Sequence, residues 1–226
     1  MTAPLPQTDP LPQAEPLPSA LDDFLARAAA RLSRVPPAPY APLDHTVLNG
    51  DHAISGHVPV PEQPPRPAAV LVPVVARPEP TVLLTLRATT LSHHAGQIAF
   101  PGGRMDPGDA DEAAAALREA REEVGLAADL IRPLGFLDGY LSSTNFWIVP
   151  VVGLVAPDYA LTINEAEVQE AFEVPLAFLM SPGNHQRQSL VRDGVLRHFF
   201  AMPYEQHFIW GVTAGLIRNL YERVYA

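Results

Sequence analysis

The chain contains no cysteine, so neither a disulfide framework nor a thiolate metal site is open to it. It contains no lysine either: all 15 basic residues are arginine, against 25 acidic ones, for a formal net charge of −10. Such a balance leaves no basic stripe to gather nucleic-acid phosphates, so no nucleic-acid partner is expected. A phosphorylated ligand would have to be met through metal ions or single arginines. Long apolar runs are also missing. The longest, Ala68 to Ala76, is interrupted by Pro73 and falls short of the roughly 18 residues a membrane-spanning helix needs. No basic residue precedes Arg27, as one would in a secretory leader. The expectation is a cytoplasmic protein with no membrane partner, its 226 residues enough for one good-sized core.

Proline, by contrast, is abundant and unevenly placed, 18 of the 26 lying in the first 80 residues. Residues 4–21 repeat a six-residue Pro-Leu-Pro unit three times, and residues 1–18 are expected to form a disordered tail. From there, 19–226 reads as one domain with an N-terminal helical extension. Ser19 can cap a helix whose apolar positions, Leu21, Phe24, Leu25, Ala28, Ala29 and Leu32, recur at helical spacing until Pro36 and Pro37. It is expected on the outside of the domain. From about residue 68 the pattern turns to short β-rich runs: 68–75, 81–87, 97–100, 134–141, 146–155, 168–174 and 195–200. Two helical patterns interrupt them, at about 111–124, ended by Gly125, and at about 208–224. A mixed sheet flanked by helices suits this order.

Chemistry concentrates in Arg118-Glu119-Ala120-Arg121-Glu122-Glu123-Val124-Gly125-Leu126, read with Phe100-Pro101-Gly102-Gly103 upstream. On a helix, Glu119, Glu122 and Glu123 stand at i, i+3 and i+4 and share one face. Their mutual repulsion falls when a hard divalent cation binds, and Mg²⁺ takes oxygen ligands from one or two carboxylates together with phosphate and water. The paired glycines let backbone approach a ligand closely. A solvated acidic face with an ordinary Arg118–Glu122 pair would account for the glutamates alone equally well. The order Gly103, five residues, Asp109, eight residues, Arg118-Glu119 is far more restrictive.

That order resembles the Nudix box, Gly-x5-Glu-x7-Arg-Glu-(apolar)-x-Glu-Glu-x-Gly-(apolar), with Asp109 where the first Glu is usual and one extra residue before Arg118. The resemblance implies an α/β/α sandwich, of the α+β class with a mixed sheet and a loop-helix-loop motif. It implies Glu119, Glu122 and Glu123 as ligands of Mg²⁺ or Mn²⁺, with Arg118 orienting one of them. Upstream, Leu83-Leu84-Thr85-Leu86-Arg87-Ala88 and Gly96-Gln97-Ile98-Ala99-Phe100-Pro101-Gly102-Gly103 are similar to the further signature of the coenzyme A pyrophosphatase branch, whose box carries the same extra residue. Ser92 stands where that signature has Arg, with His93 and His94 beside it. The stretch from Tyr204 through Gly215 is also similar to the end of that branch; Trp210 reads as a core anchor, and only Glu205 there is chemical.

The expected reaction is metal-dependent hydrolysis of coenzyme A or a derivative to 4′-phosphopantetheine and adenosine 3′,5′-bisphosphate. Arg87, Gln97, Gly102, Gly103 and Arg104 are the expected substrate contacts, since arginine pairs with phosphate in a bidentate way. A general base must reach the attacking water, and Glu123, Glu122 and Glu167 are the candidates. The alternatives are a pyrophosphatase for ADP-ribose, dinucleotides or nucleoside triphosphates, and a non-catalytic nucleotide-binding module, which would be expected to have lost box carboxylates. His185, His198 and His207 are too scattered for a metal site, and Ser142 and Ser189 lack a Gly-x-Ser-x-Gly setting. A homodimer is compatible with the sequence.

Overall fold

The computed structural model describes residues 19–38, 49–55, 63–91, 94–192 and 194–226. The tail expected at 1–18, together with Ser92 and His93, lies outside them. The elements in chain order are helices α1 (Ala20–Arg31) and α2 (Asp51–Ser55), then strands β1 (Arg66–Val75), β2 (Thr81–Arg87), β3 (Ile98–Ala99) and β4 (Gly102–Arg104). Helix α3 (Glu112–Val124) precedes β5 (Ile131–Phe136), β6 (Tyr140–Leu141), β7 (Phe146–Val155) and β8 (Val168–Pro175). After a one-turn α4 (Leu176–Leu179) come β9 (Gln186–Arg192), β10 (Val195–Tyr204), β11 (His207–Trp210) and α5 (Val212–Val224).

Eight strands form one mixed sheet, in the order β3-β2-β1-β7-β5, with β4 on β1, β6 on β7 and β8 on β2. Only β1 and β7 run parallel, ten residues in register from Arg66↔Phe146 to Val75↔Val155. Because side chains alternate along a strand, β1 feeds two cores. Ala69, Leu71 and Val75 face α3 through its Ala115, Ala116, Ala120 and Val124. Ala68, Val72 and Val74 join the opposite core, with Leu216, Ile217, Leu220 and Val224 of α5. Helices on both faces of a mixed sheet make the α/β/α sandwich, an α+β fold as expected. No helix among the described residues is long and apolar enough to cross a membrane.

Ser19 does cap α1: its hydroxyl accepts from Asp22 N–H while Asp22 returns a bond to the Ser19 N–H, a reciprocal capping box. The helix is not a peripheral addition, however. Phe24 and Ala28 are fully buried and belong to the α5-side core.

Elsewhere the expected boundaries shift for local reasons. The run 134–141 is two strands, because Asp138 leaves the ladder to bond Asn219; a separate register slip lies within β5, between Pro133 and Gly135. Helix α5 begins at Val212, not 208: His207–Trp210 pairs with β10 as a strand, and Gly211 turns the chain at φ 62. Besides β11, two further strands were not anticipated. One is β9, whose Gln-Arg-Gln-Ser-Leu-Val-Arg lacks a clean apolar face; with β10 and β11 it makes a second, antiparallel sheet. The other is β4, made from the glycine pair itself and held by β1 through Ala69↔Gly103 and Val70↔Gly102.

Candidate active site

Helix α3 carries the acidic face, and local sequence sets both its ends. Asp111 caps the start by accepting from Ala114 N–H at 2.8 Å. Gly125 closes the end at φ 71, a left-handed conformation that costs a residue with a Cβ about 1–2 kcal/mol. The inner face is small, with Ala115, Ala116 and Ala120 fully buried. A helix with such a face lies close to the sheet, which brings the adjoining carboxylates against β4.

Arg118 organises the site by using all five of its N–H donors. Its Nε and Nη2 reach the Asp109 carboxylate at 3.0 and 3.1 Å, Nη1 reaches Glu119 and Glu122 at 3.0 Å each, and Nη2 also reaches the Arg104 carbonyl at 3.0 Å. Asp109 is thus the anchor of Arg118, a role the sequence analysis did not assign. The bond from Arg118 holds Asp109 below the usual carboxylate range, and Asp109 in turn raises Arg118 so that the guanidinium stays charged.

Glu123 is the most buried acid of the cluster, its side chain 2 % exposed. One of its oxygens accepts from Gly102 N–H at 3.3 Å and the other faces Arg87 Nη1 at 3.5 Å. Burial pushes its pKa up to about 7 against the opposing pull of Arg87 and the Gly102 amide, with Glu119 and Glu167 raising it further. Burial likewise raises Glu119, Arg118 opposes, and Glu122 and Glu167 add to the rise. Glu122 itself stays half exposed, its side chain at 49 %.

Glu167 reaches this patch because of how α3 ends. The carbonyls of Glu123 and Val124 would be orphaned at the helix terminus; they accept from Asn164 and Thr162 N–H at 2.9 Å each. Those bonds draw in the loop that carries Glu167, whose carboxylate accepts from Asn164 Nδ2 at 3.1 Å. Its own carbonyl accepts from Ala88 N–H at 2.8 Å, next to Arg87.

The two glycines are spatial necessities. A Cβ on Gly103 would sit 2.5 Å from a Glu119 carboxylate oxygen, and one on Gly102 would sit 2.6 Å from the Ala69 carbonyl and Val70 Cα. Of the expected substrate contacts, Arg87, Gln97, Gly102, Gly103 and Arg104 all line a single cleft of about 280 Å³ on the α5 side of the sheet. Phe146, Ile148, Trp210, Val212 and Leu216 supply its apolar wall, and no Asp or Glu is among the described residues lining it. Arg87 has its Nε buried without a hydrogen-bond partner among the described residues, and the Gln97 side-chain oxygen accepts from His94 Nδ1 at 2.8 Å.

The donor set of the carboxylate patch is all oxygen, which fits a hard divalent cation and not a soft one. Among the described residues no three acidic or imidazole side chains already converge at ligand spacing. Arg118 holds Glu119 and Glu122, while Arg87 and Gly102 hold Glu123, so binding a cation would mean exchanging these partners. Two of the scattered histidines pack on aromatic rings: His185 meets the Tyr221 ring edge-on at 5.3 Å, and His207 stacks on Phe172 at 3.6 Å.

Comparison with known proteins agrees with the geometry. A NUDIX domain model matches residues 65–193, the span from β1 to the β9–β10 turn. The chain is 48 % identical over 155 residues to the uncharacterized Nudix hydrolase NudL of Cronobacter sakazakii, covering 69 % of this chain and 81 % of that one. It is 45 % identical over the same length, with the same coverage, to NudL of Escherichia coli K12. Among solved structures it is similar to the NUDIX domain of Shewanella oneidensis NrtR in complex with ADP ribose, at 19 % identity and a TM-score of 0.46, covering 76 % of this chain and 96 % of that one. With the carboxylate helix, its arginine clamp and the glycine strand inside the matched span, the chain belongs to the NUDIX domain family and is a Nudix hydrolase.

Proposed function

We propose that this hydrolase cleaves the pyrophosphate bond of coenzyme A or a close derivative, giving 4′-phosphopantetheine and adenosine 3′,5′-bisphosphate. The observation that carries the reading is the adjacency of two unlike surfaces: an all-oxygen acidic patch at Glu119, Glu123 and Glu167, and a cleft whose charged lining is Arg87 and Arg104 with no carboxylate. The first suits a metal-bridged diphosphate. The second suits a ligand that carries further anionic charge beside apolar surface. Leu83-Leu84-Thr85-Leu86-Arg87 and the Gly96–Gly103 segment, similar to the coenzyme A pyrophosphatase signature, support the same substrate.

Glu119, Glu122 and Glu123 would hold Mg²⁺ or Mn²⁺, which when bound neutralises the diphosphate and acidifies a water. Arg118, fixed by Asp109, sets the rotamers of Glu119 and Glu122. Arg87 offers a guanidinium beside Glu123 for a phosphate oxygen. Glu167 or Glu123 takes the proton of the attacking water as its oxygen bonds to phosphorus, and the phosphate–phosphate oxygen bridge breaks with the electron pair leaving on the bridging oxygen.

The test is a panel of coenzyme A, ADP-ribose, NADH and nucleoside triphosphates with Mg²⁺ or Mn²⁺, the products identified by mass. Adenosine 3′,5′-bisphosphate from coenzyme A with little cleavage elsewhere is the expected result. Preference for another member of the panel would overturn the substrate, and absence of any metal-dependent cleavage would favour a binding module.

A further inference from the structure

Two arginines converge on the ring of Phe146, which lines the cleft together with Arg104. The Arg66 guanidinium carbon lies 4.0 Å from the Phe146 ring centroid, and that of Arg104 lies 5.6 Å from it. Strand register makes the meeting: Arg66 stands beside Phe146 across the parallel β1–β7 pair, and Arg104 ends β4 opposite Ala68 of β1. Arg66 is steadied by donating to the Thr144 carbonyl at 3.1 Å. Neither arginine forms an ion pair with a carboxylate among the described residues, although the chain carries ten more acidic than basic groups. Two like charges on one ring with no counter-charge among the described residues favour an anion from outside.

We infer that the cleft receives the nucleotide half of the substrate, with Arg66 and Arg104 over Phe146 holding the phosphate monoester on its ribose. The inference rests on the coenzyme A reading above. Position supports it. A Cβ on Gly103 would face the Glu119 carboxylate, whereas Arg104, the next residue of β4, points to the opposite, cleft-side face, so only the thickness of β4 separates the two. The Arg104 carbonyl also accepts from Arg118, so the platform and the carboxylate helix share a fixed frame. Behind it, Ile148, Trp210 and Leu216 offer an apolar wall for a purine.

The experiment compares kcat/KM for coenzyme A and dephospho-coenzyme A in the wild type, Arg104→Ala, Arg66→Ala and Arg104→Lys. It adds equilibrium binding of adenosine 3′,5′-bisphosphate and of AMP to the same full-length proteins. The wild type should prefer the phosphorylated partner in both assays. Losing one charge-assisted contact should cut that preference about tenfold to a hundredfold in either alanine variant, with Arg104→Lys retaining part of it. Thermal unfolding should be unchanged, since both arginines are exposed. A wild type that cleaves coenzyme A without discriminating, or alanine variants that keep the full preference, would overturn the platform. If coenzyme A is not cleaved at all, the function reading falls. Binding then decides the platform alone: a preference for the bisphosphate that Arg104→Ala removes upholds it, and equal binding of the two nucleotides overturns it.

Discussion

Helices α3 and α5 are each 13 residues long and lie on opposite faces of one sheet, yet they are built to different ends. Helix α5 buries Leu216, Ile217, Leu220 and Val224, large side chains that interdigitate with the sheet and with Phe24 of α1. Helix α3 buries three alanines and Val124, and with them a glutamate. Apolar burial contributes about 25 cal/mol per Å², so α5 supplies far more cohesion than α3. The small face of α3 serves position: it brings Glu119 and Glu123 to within contact of a glycine strand. One helix holds the fold and the other holds charges where the fold alone would not keep them.

If that division is right, stability and activity should separate between the two helices. The largest stability effect should come from Leu220→Ala on α5. A core Leu→Ala truncation costs about 2–5 kcal/mol, which chemical denaturation would read as a lowered midpoint, while the folded fraction at low denaturant turns over normally. A drop below 1 kcal/mol would dissolve the contrast.

Gly103→Ala should act the other way. The added methyl meets the end of a flexible Glu119 side chain at 2.5 Å, not backbone, so the fold yields cheaply. The displaced carboxylate should nonetheless lower kcat/KM by about a hundredfold, as small misplacements of catalytic groups do. Unaltered kinetics would mean that Glu119 need not stand where it does.

The smallest effect belongs to the α5 side and depends on pH. Burial raises Asp138, but the hydrogen bonds from Arg223 and Asn219 outweigh it and hold the carboxyl below its ordinary value. A depressed carboxylate pKa adds stability that is complete above the unfolded value, about 3.9, and fades as pH falls through the folded value. Asp138→Asn should therefore cost under about 1 kcal/mol at neutral pH, this being a half-exposed pair, and flatten the loss of stability between about pH 4 and pH 2. Activity should not follow the same pH range. An unchanged acid limb in the variant would remove Asp138 from the account.

Most of this contrast was legible before any coordinates. The glutamates at i, i+3 and i+4, the terminating Gly125 and the glycine pair are local signals, and local signals survive folding. Glu167 was named only through the family resemblance, which implies a further glutamate on a loop beyond the box; its place near Glu119 and Glu123 depends on the bonds that tie the 162–167 loop to the end of α3. Asp109 was not recognised as the anchor of Arg118; its bond crosses nine residues and depends on how the 106–109 turn meets the helix. The Arg66–Phe146 pair was beyond reach for a stronger reason, since it needs the parallel β1–β7 register across 80 residues. Residues 208–210 were read as the start of α5 because Ile209, Val212, Ile217, Leu220 and Val224 fit helical spacing. The alternation of buried His207, exposed Phe208 and buried Ile209 was the contrary signal.

The central claim, that the buried acid on α3 is there for chemistry, is tested most directly by Glu123→Gln, measuring kcat and thermal unfolding on the same preparation. The account predicts a loss of about 10²–10⁴-fold in kcat with an unfolding midpoint equal to or above that of the wild type, since a neutral amide removes a charge that burial disfavours. Near-normal turnover, or a variant that fails only because it unfolds, would contradict it.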